Sequence, residues 1–148
     1  MRKPRTVVIV VAALAVSFAP GLSAKGRTVK VTVSSPSAVQ PIDITDPTVI
    51  APTVWGGEFI GARTSEPDRS LMRYRLAFHV EPPREKARVM YTVSYVRDPR
   101  KGTAFIYLPG PSDEGYRLNI GTIYRDGQDG RWFLAEPNWS AALNAAMR

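Results

Sequence analysis

The sequence has no cysteine and one histidine, His79. Without cysteine there is no disulfide framework, no thiol nucleophile and no cysteine-linked lipid anchor. One histidine without a thiolate partner leaves a zinc site without a ligand set. Asp113, Glu114, Asp126 and Asp129 fall in loops, but without the twelve-residue spacing of a calcium hand. The reading therefore includes no metal and no cofactor. Internal repeats and low-complexity runs are absent as well, so 148 residues make one domain with its own core.

A long apolar run is also missing. Arg2, Lys3 and Arg5 precede a short one, residues 6–19, which Pro20 and Gly21 break before Leu22-Ser23-Ala24. A basic start, an apolar middle and a small residue at a cleavage point have the layout of a secretory signal peptide. A buried helix and an uncleaved anchor are the rivals, but the run is shorter than the roughly 20 residues that span a bilayer. The expectation is a signal peptide over 1–24, cleaved after Ala24, and one exported β-rich domain over 25–148, in the periplasm or outside the cell. The net charge of +7 falls to +4 once the three basic residues of the leader are gone.

What is present is alternation. In residues 70–81, Met72, Tyr74, Leu76, Phe78 and Val80 share one face, and Arg73, Arg75, Ala77 and His79 the other. In residues 87–98, Ala87, Val89, Tyr91, Val93 and Tyr95 alternate with Arg88, Met90, Thr92 and Ser94. Period two is the signature of a half-buried strand, and β-branched and aromatic residues suit it. With Thr103–Leu108 these runs predict an antiparallel meander, because the links 82–86 and 99–102 are too short for a parallel crossover. Prolines end the ladder in the first link; Asp98-Pro99 and Gly102 turn the second.

The flanks extend this sheet. Residues 27–34 and 40–45 predict a first hairpin, with Val29, Val31 and Val33 on one face and Pro41 keeping the second strand at an edge. Asp46-Pro47 starts a short helix over 47–51, stopped by Pro52. Residues 62–69 read as a polar loop, and 116–125 as another strand. The turn 126–130 then makes a hairpin with Trp132-Phe133-Leu134, placing Trp132 and Leu134 on the core face. Pro137-Asn138 caps a last helix over 139–147, anchored by Trp139. The fold class is mainly β: a single antiparallel, sandwich-like domain with a short helix near residue 46 and a C-terminal helix. An open sheet with the last helix on one face is the alternative.

No catalytic constellation is visible. His79 has no evident orienting partner or nucleophile. Glu58, Asp113, Glu114 and Glu136 are carboxylates of the type glycoside hydrolysis uses, without a spacing that pairs any two. The aromatics Trp55, Phe59, Tyr107, Tyr116, Trp132 and Trp139 are the better lead, and Trp55 beside Gly56-Gly57 stands out. Residues 73–101 hold eight basic residues against three acidic, a net of +5; such a face attracts anions or simply keeps a sheet solvated. The ligand-contacting set expected is Trp55, Phe59, Arg73, Arg75 and His79, in a non-enzymatic binding module. Its partner would be an envelope polymer, an anionic surface or another exported protein, not nucleic acid. A small carbohydrate-active hydrolase and a structural accessory of an envelope assembly are the alternatives.

Overall fold

A computed structural model describes residues 26–53, 58–120, 122 and 128–148. Seven strands form one antiparallel sheet: β1 (Arg27–Ser34), β2 (Ile42–Ile44), β3 (Ile60–Thr64), β4 (Arg73–Glu81), β5 (Arg88–Asp98), β6 (Thr103–Leu108) and β7 (Arg131–Ala135), in the order β2-β1-β4-β5-β6-β7-β3. Three helices, α1 (Pro47–Ile50), α2 (Tyr116–Asn119) and α3 (Pro137–Ala146), complete it. The expected meander is β4-β5-β6, and the expected first hairpin is β1-β2.

One sheet face is apolar from end to end. Val31, Val33, Leu76, Phe78, Tyr91, Val93, Tyr95, Ile106 and Phe133 are all buried in a single cluster. Such a face must be covered, and α1 and α3 contribute Val49, Trp139 and Leu143 to the same cluster. α1 starts at its expected cap, whereas α3 starts two residues earlier than expected, capped by Glu136 and not by Pro137-Asn138. Asp46 accepts from Thr48 N at 2.8 Å, and Glu136 accepts from Asn138 N and Trp139 N, each with proline at the first helical position. A 3₁₀ turn, Ala51–Thr53, prolongs α1 and tolerates Pro52. Its final carbonyl, on Thr53, accepts from both the Tyr91 hydroxyl and Thr28 Oγ1.

Strict alternation fails at two places in β1 and β5, besides a register shift between Ile60 and Arg63 in the β3–β7 ladder. The β1–β4 register shifts between Thr28 and Lys30, and the β4–β5 register shifts between Phe78 and His79. Val29 and Met90 are the extra residues. Each bulge slips the phase by one residue, so Thr28 rather than Val29 is buried, and Val89 sits opposite His79 instead of lining the core.

Three other expectations are corrected. Residues 62–69 do not form only a loop, since β3 pairs with β7 as an edge strand. An edge strand with one side open needs few apolar residues, and its signal is weak. Residues 116–119 are helical instead of extended, while 121 and 123–127 lie outside the described residues. Trp132 pairs with Tyr107 on the outer face; Phe133, opposite Ile106, takes the core position.

The α2 segment solves a ladder problem. Continuing the register of Ser94↔Tyr107 would bring Pro109 opposite Thr92, and proline has no N–H to give. Asn119 substitutes for the missing strand residue. Its Oδ1 accepts from Thr92 N at 2.8 Å and its Nδ2 donates to Thr92 O at 2.6 Å, with Asn119 fully buried. Gly115 precedes the helix at φ 87°, where a Cβ would sit 2.3 Å from Thr92 Oγ1. Asn119→Ala leaves two buried backbone groups unpaired and is expected to cost about 3 kcal/mol. Urea unfolding checks this, through a lower midpoint at unchanged slope.

Candidate functional site

The outer face carries the polar chemistry. Arg73 and Arg75 on β4, Ser94 on β5 and Tyr107 on β6 project there because their neighbours Leu76, Val93 and Ile106 take the core side. Two clefts, of about 260 and 400 Å³, meet at Arg73, Arg75 and Ser94. The first runs toward Tyr107, Asp113 and Glu114; the second runs toward Ser34, Ser35 and Pro36 at the end of β1. Together they make a groove across the strands.

Its walls are built from paired groups. The Arg73 guanidinium lies 5.0 Å from the centre of the Trp132 ring and 2.7 Å from Glu66 Oε1, and so covers an indole that is 8% exposed. Trp132 in turn packs on Tyr107, with ring centres 5.0 Å apart. Arg75 reaches Glu114 at 2.9 Å. The Tyr107 hydroxyl donates to Asp113 Oδ2 at 2.6 Å, and Gly110 N donates to the same oxygen at 2.7 Å. These donors hold the Asp113 carboxyl below its ordinary range. Burial, then the Asp113 carboxylate, pushes the Tyr107 phenol up to about 12. Two cations against Glu66, Asp113 and Glu114 leave the groove close to neutral, so the basic excess of residues 73–101 is not concentrated in it.

The other candidate carboxylates have structural employment or stand alone. Glu136 caps α3 with both oxygens, and Glu58 is exposed. Asp113, held ionised, accepts hydrogen bonds from the Tyr107 hydroxyl and Gly110 N and is not a proton donor at neutral pH. Among the described residues no group of three or more acidic or histidine side chains could hold a metal ion.

Of the five expected ligand contacts, the structure brings together only Arg73 and Arg75. Phe59 is fully buried, 5.4 Å from the Phe78 ring centre and 4.8 Å from that of Trp139, so it belongs to the core. Trp55 lies outside the described residues, as does the expected leader over 1–24. His79 belongs to a separate cluster on the outer face. Its Nε2 is 2.9 Å from Thr32 Oγ1, which donates to Asp43 Oδ1 at 2.6 Å; Asp43 also takes Lys30 at 2.8 Å. Thr32 has a single hydroxyl proton, and the carboxylate claims it. His79 therefore donates from Nε2–H, the reverse of the polarity by which a histidine base activates a hydroxyl. Tyr107, Asp113 and Ser94 were not singled out as a set by sequence, because they converge only through strand pairing and the Gly110 turn.

No known protein family, curated protein or solved structure matches the chain.

Burial, then the Lys30 charge, hold the His79 imidazole below its ordinary value of 6.5, with Asp43 opposing. The folded state thus resists a proton that the unfolded chain accepts. Stability is expected to fall as pH drops below 6.5 through the lower folded value, and His79→Gln is expected to flatten that leg. Urea midpoints at pH 7 and pH 5 test the sign, and nitrogen-15 shifts of the ring at neutral pH should report the Nε2–H tautomer.

Proposed function

We propose that this protein is an exported, non-enzymatic binding module whose outer-face groove takes an extended glycan of the cell envelope. The observation that supports this best is the meeting of two clefts at Arg73 and Arg75, which gives a trough crossing several strands instead of a closed pocket. A trough suits a polymer that enters and leaves at both ends. Its donors and acceptors are fixed in advance by Glu66, Glu114, Asp113 and Tyr107. Sugar hydroxyls both donate and accept, and they match such a mixed, nearly neutral lining better than a polyanion does.

Exposed ion pairs contribute about 0–1 kcal/mol each, so Arg75 and Glu114 can exchange partners for a ligand at little cost. Export follows from the leader read in residues 1–24. Among the described residues no helix is long and apolar enough to cross a membrane.

Co-sedimentation of the chain from Lys25 with insoluble cell-wall polysaccharide, and separately with anionic vesicles, tests the reading. Binding to polysaccharide is expected to survive added salt and to weaken roughly tenfold or more when Arg73 and Arg75 are both changed to alanine. Vesicle binding that disappears with salt, with polysaccharide ignored, would replace the glycan by a charged surface. Polysaccharide binding unchanged in the double variant would move the site away from this groove.

A further inference from the structure

A further cleft, of about 250 Å³, opens at the end of the core face, between α3 and the turn joining β5 to β6. Its chemistry is the opposite of the groove's. Arg97 occupies a core-side position of β5, continuing Tyr91, Val93 and Tyr95, but emerges where the sheet runs past its cover. Arg97 and Arg148 both line the cleft, and among the described residues no acidic side chain does. Neither arginine has a carboxylate partner among the described residues, in contrast to Arg73 and Arg75 of the groove; what sets them apart from other unpaired cations such as Arg84 and Arg100 is that they share one cleft.

The third element is Asn144 on α3. The Tyr95 hydroxyl donates to Asn144 Oδ1 at 3.1 Å, and this fixes which end of the amide is occupied. The Nδ2 end, with two hydrogens to give, is left for the cleft that Asn144 lines. Ser140, whose hydroxyl donates to Pro137 O at 3.0 Å, lines the same cleft.

We infer that this cleft is a binding site for a phosphoryl group, held by Arg97, Arg148 and the Asn144 amide. Two guanidinium forks and an amide offer more hydrogens than the two oxygens of a carboxylate can take, whereas a phosphoryl group presents three or four acceptors around one charge centre. The group is supplied either by a soluble phosphate or by a phosphomonoester head group at a lipid surface. The inference does not depend on the glycan groove, whose residues it does not share.

Thermal unfolding and calorimetric titration of the purified protein test it with inorganic phosphate, using sodium chloride at equal ionic strength as the control. Phosphate is expected to raise the melting temperature where chloride does not. Arg97→Gln and Asn144→Asp are each expected to weaken phosphate binding about tenfold or more; Asn144→Asp keeps an acceptor for Tyr95 while removing the amide donors. Sedimentation with phosphatidylcholine vesicles, with and without phosphatidic acid, separates the sources: capture that needs phosphatidic acid and is lost in Arg97→Gln assigns the lipid head group, and phosphate binding without capture assigns the soluble form. Equal stabilisation by phosphate and chloride, or a phosphate affinity unchanged in both variants, overturns the site. Each variant's melting temperature without phosphate, close to that of the parent, shows that any loss is one of binding.

Discussion

The indole of Trp139 fastens the cover to the sheet. Its Nε1 donates to the carbonyl of Val49 at 2.9 Å, tying α3 to α1 across ninety residues of chain. Its ring meets Phe59 at 4.8 Å and stands edge-on to Tyr95 at 6.0 Å. From Phe59 the aromatic contact continues to Phe78 and on to Tyr91, whose ring stacks on Phe78 at 4.3 Å. Tyr91 closes the circuit at Thr53, the end of the turn that follows α1. The apolar face is thus sealed by interlocking rings whose polar tips are each satisfied, which is the condition for burying Tyr and Trp. Among the described residues no buried side-chain nitrogen or oxygen lacks a partner.

With the core closed on one side, polar chemistry is confined to the outer face and to the place where the core face runs out. The two regions differ in charge. On the outer face nearly every cation has been given a carboxylate, and the result is a fixed, nearly neutral lining. At the end of the core face the arginines are left without one among the described residues. One sheet therefore presents two surfaces of unlike charge.

Much of this was legible in the residues. The runs 27–34, 70–81, 87–98 and 103–108 carry alternation strong enough to place four strands, and the Asp46-Pro47 and Pro137-Asn138 starts place two helices, the second of them two residues late. The misreadings have identifiable causes. A bulge adds a residue without changing composition, so the phase slips at Val29 and Met90 could not be seen. Trp132 alternates with Leu134, and that pattern points to the core face; it is buried under an arginine on the outer face instead. Residues 116–119 have strand-like composition, but a proline opposite Thr92 creates a vacancy that only a side-chain amide fills, and that need exists only in three dimensions. The groove was half legible. Arg73 and Arg75 were evident as a pair on one face, while Tyr107 and Asp113 reach them through β5–β6 pairing and a turn.

The order of strands also sets an order of events. The meander β4-β5-β6 is local and can form as soon as it exists. β3 cannot, since its ladder partner β7 lies about seventy residues further along the chain, and α1 waits still longer for Trp139. The first half of the chain is therefore left with unfilled positions until the last twenty residues arrive. A chain built in this way cannot close its core before residues 131–143 are in place.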